Sequence, residues 1–211
     1  MKYAVGFSGG SGIAYGIRLV EVLLAAGHDV HLSATNAALR VLRHEAGVEL
    51  AAADELDQLF DAATRTGLHV HDIAAVESAP ASGSAGIAAT ILCPCSMGTL
   101  ARVAHGFSSN LVERSADVAL KEGRPLVVVP RETPLAEIHL ENMLKLKRLG
   151  AVILPAMPGF YHRPQSIDDL VNFVVAKILD TLGIDSPIVQ RWQTPEASES
   201  PSESPWDEGE V

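Results

Sequence analysis

The chain is short of cysteines, of basic residues and of long apolar runs, and each shortage excludes a class of protein. Among its 211 residues only Cys93 and Cys95 are cysteines, and one proline separates them. That spacing is poor for a disulfide, and two thiols cannot supply the four ligands of a structural zinc site. Reduced thiols, together with the lack of an N-terminal signal pattern, predict a cytoplasmic protein.

The charge balance is acidic, because 16 Lys and Arg residues stand against 26 Asp and Glu residues and give a formal net charge of -10. A nucleic-acid partner is therefore not expected. No apolar run reaches the length of a membrane span, so none is expected. Six of the acidic residues lie within residues 194–211, where no Lys or Arg occurs. The Pro-, Ser- and Glu-rich composition predicts a tail over residues 186–211 that is disordered beyond about residue 194.

Apolar runs typical of strands alternate with segments of helical periodicity from residue 3 to residue 183, and residues 54–67 also look helical. The runs are continuously apolar, as in strands that are covered on both faces. This pattern predicts a three-layer α/β fold in which a mostly parallel sheet lies between two layers of helices. Ligands of such folds bind beyond the carboxyl ends of the strands, which points to the loops after residues 7, 34, 93, 129 and 155.

The first of these loops, from Ser8 to Gly12, holds three glycines and two serines between a strand and a helix. Glycine lets backbone N–H groups approach an anion, a helix N-terminus favours negative charge, and Ser8 and Ser11 add hydroxyl donors. The loop contains no lysine and lacks G-x-G-x-x-G spacing, so it fits neither standard nucleotide-binding motif. A tight turn that uses glycine for steric reasons alone is an equally good interpretation.

The loop after the strand near Cys93 is a second candidate anion site. We expect Pro94 to end the pairing of that strand at Cys93, and Ser96 to cap the following helix. Ser96 and Thr99 would then flank a second set of free N–H groups, and two such turns suit a mononucleotide. Simple helix capping is the alternative for Ser96. The cysteines are expected to pack rather than react, because no base is adjacent in the sequence.

Charged and hydroxyl-bearing side chains follow the last two predicted strands. Arg131 and Glu132 come directly after an apolar run, where the arginine could bind a phosphate and the glutamate could pair with it or move a proton. Tyr161, in a loop stiffened by prolines, could place its hydroxyl on a phosphate oxygen. Lys177 lies in the last predicted helix, where a lysine is ordinarily solvated. A surface set of ion pairs is the alternative interpretation for the basic residues Arg114, Lys121 and Arg124.

No metal site is expected. The pair His44–Glu45 lacks a second histidine four residues after the first, so no H-E-x-x-H motif is present. His69 and His71 lie on one face of a predicted strand but lack a carboxylate at ligand spacing.

Several blocks of the sequence occur in an order that is specific to one family. They are SGGSGIAYGIRL at residues 8–19, PASGS at 80–84, PCSMGTLARVAHG at 94–106, NLVERSADVALKEGRPLVVVPRETPL at 110–135, and the stretch from IHLENM to the end of the last helix at 138–184. Together they resemble the flavin prenyltransferase family of the UbiX/Pad type. The resemblance implies a flavodoxin-like or Rossmann-like fold, a homododecamer and a prenyltransferase domain over residues 1–185.

The implied activity is the metal-independent transfer of a dimethylallyl group from dimethylallyl phosphate to N5 and C6 of reduced FMN. The product, prenylated FMN, would serve as the cofactor of a UbiD-type decarboxylase. The sequence does not decide between a monophosphate and a diphosphate donor. Gly98 stands where the family frequently has lysine, so one cation near the flavin is missing.

The resemblance also implies roles for individual residues. The FMN-binding residues would be Gly9, Gly10, Ser11, Thr35, Ser96, Met97, Gly98, Thr99 and Arg131. The residues that bind the dimethylallyl phosphate would be Tyr161, Lys177, Lys121, Arg114 and Trp192, the last as an apolar lid or, alternatively, an exposed anchor of the tail. Catalytic roles would fall to Ser11, Glu45, Lys121 and Glu132. Some of these side chains could reach the pocket from neighbouring subunits.

Two other functions suit parts of the same sequence. An FMN-dependent cysteine decarboxylase would share the fold and the cofactor, but it would need a catalytic histidine early in the chain. A non-catalytic FMN carrier would need the FMN loops without the set formed by Lys121, Tyr161 and Lys177.

Overall fold

The computed structural model describes residues 1–185 and residue 188, in which strands alternate with helices. The strands are β1 (Lys2–Phe7), β2 (Asp29–Ala34), β3 (Leu68–Val70), β4 (Ile87–Cys95), β5 (Leu126–Pro130) and β6 (Val152–Ile153). The α-helices are α1 (Ile13–Ala25), α2 (Asn36–Ala46), α3 (Met97–Ala104), α4 (Leu111–Lys121), α5 (Glu137–Arg148) and α6 (Ile167–Leu182), and short 3-10 helices cover Ala53–Leu59 and Ala79–Ala81. Trp192 and almost all of the predicted tail lie outside the described residues.

The six strands form one sheet in the order β3-β2-β1-β4-β5-β6, and every neighbouring pair is parallel. The chain winds outward from β1 in one direction through β3 and then returns to the other side of β1 with β4. The carboxyl ends of β1 and β4 therefore flank the point at which the order reverses, where ligands of such sheets bind. The predicted α/β fold with a parallel sheet is confirmed.

Helices cover both faces of the sheet, which explains why its strands are continuously apolar. One core cluster joins the sheet to α1, α2 and α6, with Leu23 and Ile178 among its fully buried members. A second cluster joins the other face to α3, α4 and α5, with Leu100 and Leu146 at its centre. The fold thus has three layers, as predicted. In the part of the chain that the structure describes, no helix combines the length and the apolar character needed to cross a membrane.

The strand that carries the cysteines differs from the expectation that it ends at Cys93. A register shift between Leu92 and Cys95 carries β4 past Pro94, and Cys95 pairs with Pro130 of β5. A proline has no N–H to donate, and the irregularity absorbs that loss so that pairing resumes one residue later. Ser96 consequently follows directly after a paired strand end, beside the tip of β5.

Two helical segments also differ from the expectation. Residues 54–67, which look helical in the sequence, form a 3-10 helix over Ala53–Leu59 followed by turns. Helix α4 is not among the predicted helices, although its buried residues Leu111, Val112, Ala116 and Ala119 recur at helical spacing. Its start is well defined, since the Asn110 side chain accepts a hydrogen bond from the Glu113 N–H over 3.0 Å.

Candidate active site

The turns after β1 and β4 are joined by a buried serine. Ser8 is fully buried, and its hydroxyl accepts a hydrogen bond from the Ser96 N–H over 2.7 Å and donates one to the Pro94 carbonyl over 3.1 Å. The expectation that Ser8 is a donor for a bound anion is therefore wrong, because its hydroxyl holds the two turns together. The close contact also needs glycine at position 10, where a Cβ would lie 3.2 Å from the Cys95 carbonyl carbon.

The turn after β1 carries an unexpected anion of its own. The Glu45 carboxylate, from the last turn of α2, accepts hydrogen bonds from the N–H groups of Gly12 (2.8 Å) and Ile13 (2.9 Å) and interacts with the Ser11 side chain. Burial acts to raise the pKa of Glu45, but the hydrogen bonds from Ser11, Ile13 and Gly12 outweigh it and lower the pKa. Glu45 is thus ionised at neutral pH. It occupies N–H groups that the sequence suggested for a phosphate.

Hydroxyl groups stand at two further strand tips. The Ser96 hydroxyl accepts a hydrogen bond from the Thr99 N–H over 3.3 Å and donates one to the Thr99 hydroxyl over 3.2 Å. The Thr35 hydroxyl caps α2 by accepting a hydrogen bond from the Ala38 N–H over 3.2 Å. Both thus cap helices, which is the alternative given for Ser96, and both lie at the carboxyl edge of the sheet. Gly98 borders open space, since a Cβ at that position would have no heavy atom within 4 Å.

Arg131 supplies the positive charge at this edge. Its N–H donates a hydrogen bond to the Cys95 carbonyl over 3.4 Å, directly after β5. Its Nε is buried and has no hydrogen-bond partner in the described residues, which is a costly state for a guanidinium unless a ligand completes it. The charge of Arg131 also contributes to lowering the pKa of Glu45. These residues fit a bound anionic cofactor such as FMN.

Two cavities lie beyond β5 and β6, and they share Pro155 and Met157 as lining residues. The first, of about 290 Å³, is lined by Arg131 and Glu132 together with apolar residues. The Glu132 carboxylate accepts a hydrogen bond from the Thr133 N–H over 3.1 Å. The second, of about 520 Å³, is lined by Phe173 and Lys177 among others. Charged groups of both signs therefore border these two adjoining cavities, which together are called the cleft.

Tyr161 and Lys177 both lie beside the ring of Phe173, which is not among the predicted site residues. The rings of Tyr161 and Phe173 lie edge to face with their centroids 5.6 Å apart, and the Lys177 Nζ lies 5.8 Å from the Phe173 centroid. Phe173 precedes Lys177 by four residues, so helical spacing could have revealed this contact. Lys177 is partly neutralised, since its Nζ lies 3.6 Å from an Asp180 carboxylate oxygen.

Lys121 and Arg114 do not join this cleft within one protomer. Lys121 ends α4, and β5 begins five residues later at Leu126, so Lys121 lies near the opposite, amino edge of the sheet. Its Nζ lies 3.3 Å from Glu122, and Arg114 forms an ion pair with Asp117 at 2.8 Å. Neither residue lines the two cavities as described for one protomer.

The cysteines pack as expected. Both are fully buried free thiols, and burial raises the pKa of Cys93 and raises that of Cys95 to about 12. Within residues 1–185, no three His, Cys, Asp or Glu side chains are grouped in a way that could hold a metal ion.

Comparison with known proteins gives consistent matches. The flavoprotein family model matches residues 1–179. The flavin prenyltransferase UbiX of Pseudomonas aeruginosa is 50% identical over 195 residues, which cover 90% of this chain and 93% of that protein. The UbiX of Alkalihalophilus pseudofirmus is 50% identical over 188 residues, which cover 89% and 94% of the two chains.

Solved structures agree. AnUbiX (PadA1), crystallised with FMN and dimethylallyl pyrophosphate, has a TM-score of 0.83 and 37% identity, and the match covers 92% of this chain and 98% of AnUbiX. A dodecameric FMN-dependent UbiX-like decarboxylase from Escherichia coli O157:H7 has a TM-score of 0.81 and 40% identity, covering 92% and 100%. The cysteine decarboxylase TvaF is only 15% identical at a TM-score of 0.53, a likeness of fold alone.

Proposed function

The chain belongs to the flavin prenyltransferase UbiX family, and we propose that it transfers a dimethylallyl group from dimethylallyl phosphate to N5 and C6 of reduced FMN. The allylic C–O bond breaks, and the phosphate leaves with its electron pair. A bond first forms between N5 and the dimethylallyl group, and N5 loses its proton. The double bond of that group then gains a proton, a second bond forms to C6, and C6 loses a proton. The observation that carries the proposal is the pair of adjoining cavities, one lined by Arg131 and Glu132 and the other by Lys177.

FMN supplies the nucleophilic flavin ring, and the residues of the strand tips bind and orient it. The buried Nε of Arg131 needs an acceptor, which FMN offers. The FMN-binding residues would be those implied by the resemblance, from the turns at Gly9–Ser11, Thr35 and Ser96–Thr99. The open space at Gly98 leaves room for the ligand where the family frequently has a lysine.

Tyr161 and Lys177 would bind the phosphate of the donor. A fixed cation and a hydroxyl stabilise the charge that develops on the leaving phosphate. The Lys177 side chain is about half exposed, so a phosphate can reach its ammonium group. The phosphate would either share that group with Asp180 or replace Asp180 as its partner. The same groups suit a monophosphate or a diphosphate.

Ser11, Glu45 and Glu132 would move protons near N5. Glu45 is ionised and in contact with Ser11, so the pair is set to accept a proton rather than to donate one. Glu132 borders the cavity on the other side of Arg131 and would act as the second proton-transfer group.

The assembly would be a homododecamer, as in the Escherichia coli O157:H7 relative, and it would bring Lys121 and Arg114 of one subunit to the cleft of another. The catalytic domain would cover residues 1–185, with a separate acidic tail that includes Trp192. Prenylated FMN would pass to a UbiD-type decarboxylase, and the two free thiols support a place in the cytoplasm.

The decisive experiment is anaerobic incubation with reduced FMN and dimethylallyl phosphate, followed by mass spectrometry of the flavin. We expect FMN to gain a five-carbon unit. Tight binding of FMN without an adduct would contradict the proposal and favour the carrier. Release of CO₂ from a cysteine-terminated peptide, again without an adduct, would favour the decarboxylase.

A further inference from the structure

Tyr15 is a polar residue of the site to which the function above gives no role. It lies in the first turn of α1, and its ring carbons Cδ2 and Cε2 lie 2.8 Å from the position that a Cβ on Gly12 would take. Gly12 has a φ of 96°, which glycine adopts without strain. The ring of Tyr15 therefore packs on the same turn that carries Ser11 and receives Glu45.

The phenol of Tyr15 lies within the electrostatic influence of the cleft. Burial, followed by the neighbouring Cys93, raises the pKa of Tyr15, whereas the charge of Arg131 acts in the opposite direction. The phenol is therefore protonated at neutral pH and able to donate a hydrogen bond. Tyr15 is half-buried, and no described residue accepts a hydrogen bond from its hydroxyl, so the hydroxyl is open to a ligand, whereas the unpaired Nε of Arg131 is buried.

Two groups that can donate hydrogen bonds to a ligand thus lie near the same strand tips, beside a turn whose glycine accommodates the Tyr15 ring. FMN would supply hydrogen-bond acceptors for both groups, because it combines a flat aromatic ring system that carries carbonyl oxygens with a phosphate. Aromatic side chains pack favourably on such a ring system, and a tyrosine can hydrogen-bond to it at the same time.

We propose that Tyr15 contacts the bound flavin, with its ring as one wall of the cofactor site at the turn after β1 and its hydroxyl as a hydrogen-bond donor. The inference rests on the proposed function for the identity of the ligand. It adds a cofactor-contacting residue from α1 to those at the strand tips.

The test compares three variants by the Kd for oxidised FMN, measured through quenching of flavin fluorescence without any prenyl donor. Tyr15→Phe removes only the hydroxyl, and Tyr15→Leu also removes the ring. Tyr3→Phe is the matched control, because Tyr3 lies at the other end of β1 and its hydroxyl donates to the Met1 sulfur. We expect Tyr15→Phe to weaken binding about three- to tenfold, the equivalent of one hydrogen bond, Tyr15→Leu to weaken it further, and Tyr3→Phe to leave it unchanged.

A second readout is the absorption spectrum of bound FMN, which should differ between the wild type and Tyr15→Phe at saturation but not between the wild type and Tyr3→Phe. The inference is overturned if both Tyr15 variants bind FMN within twofold of the wild type, or if Tyr15→Phe binds with an unchanged affinity and spectrum. The adduct assay separates the two proposals. If the wild type makes no adduct while its FMN affinity depends on Tyr15, the proposed function fails and this inference stands.

Discussion

The hydroxyl of Ser8 accepts a hydrogen bond from the N–H of Ser96 over 2.7 Å, although 88 residues separate the two in the chain. The same hydroxyl donates to the Pro94 carbonyl, so one buried atom joins the turn after β1 to the turn after β4. These two turns flank the point where the strand order reverses. The geometry of the cofactor site therefore depends on a side chain that does not itself face the cleft.

Replacing Ser8 with alanine should destabilise the fold and weaken FMN binding together. The Ser96 N–H would lose its buried acceptor, which costs about 1–3 kcal/mol. Urea unfolding gives the stability, and a titration with FMN gives the Kd. Ser84→Ala is the matched control, because Ser84 is exposed and only bonds to Ser82. A Ser8→Ala protein as stable as this control would contradict the role given to the bond.

Glu113 should make the fold sensitive to acid. Its buried carboxylate accepts hydrogen bonds from Arg102 (2.5 Å), the Ser109 N–H (2.9 Å) and the Asn110 side chain (2.8 Å). Burial acts to raise its pKa, but these bonds, that from Arg102 first, lower it. The folded state thus binds the proton more weakly than the unfolded state, so the stabilisation is present above the unfolded pKa and is lost as the pH falls through the folded one.

We therefore expect Glu113→Gln to cost about 1–3 kcal/mol at pH 7 and less at pH 3, because the wild-type carboxyl takes up a proton as the pH falls through its lowered pKa. Urea unfolding at the two pH values measures the difference. Glu141→Gln, on the exposed face of α5, is the control. An equal cost at both pH values would show that the charge of Glu113 does not matter.

The sheet and the location of the site were predictable because they follow from local patterns. The continuous apolar runs of β1, β4 and β5 identify buried parallel strands, and such strands carry ligands at their carboxyl ends. Pro94 was the exception, because the sequence does not show the register shift that lets β4 continue to Cys95.

The contact of Glu45 with Gly12 could not be predicted from the sequence pattern, since the two residues are 33 positions apart and only the packing of α2 beside α1 brings them together. Lys121 illustrates the converse. It is close to Arg131 in the sequence, yet α4 and β5 run in opposite directions and separate the two in one protomer. Sequence patterns therefore predict where strands end, but they do not show which side chains of other helices pack beside those ends.

Three stacked histidines should add a second acid sensitivity at the edge of the sheet. The His31 ring stacks on His69 and His71 at centroid distances of 4.8 and 5.1 Å, and the His31 Nδ1 lies 2.9 Å from the His71 Nε2. Burial, then His71, His69 and Lys2, lower the pKa of His31 to about 4, against a smaller opposite effect of Asp29.

Because this pKa lies below its ordinary value near 6.5, the unfolded state binds the proton more readily, and stability should fall between pH 6.5 and pH 4. The full effect would be on the order of 3 kcal/mol. His71→Gln removes one of the like charges and should flatten the decrease, as measured by urea unfolding across this range. The exposed His44→Gln is the control, and an identical slope for the two variants would contradict the prediction.

Tyr161→Phe and Lys177→Ala should weaken use of the prenyl donor while FMN binding is retained. Each removes one hydrogen-bonding or charged group from the cleft next to Phe173, and a hydrogen bond to a charged phosphate contributes about 1.5–3 kcal/mol. We expect KM for dimethylallyl phosphate to rise at least tenfold and the Kd for FMN to stay within twofold. Lys145→Ala, on the exposed face of α5, is the control. An equal loss of FMN affinity would mean that Tyr161 and Lys177 bind the phosphate of FMN rather than that of the prenyl donor.

Mixing two impaired variants should restore activity if Lys121 acts in a neighbouring subunit. In Lys121→Ala every subunit keeps Tyr161, and in Tyr161→Phe every subunit keeps Lys121. Because Lys121 lies at the amino edge of the sheet and Tyr161 beyond the carboxyl edge, a complete site would combine one subunit of each kind. After the variants are dissociated and reassembled together at equal amounts, about a quarter of the sites should contain both residues, and prenylated FMN should form at a comparable fraction of the wild-type rate. Reassembly of each variant alone is the control. A mixture no more active than the separate variants would place Lys121 outside the reaction or in the same subunit as Tyr161.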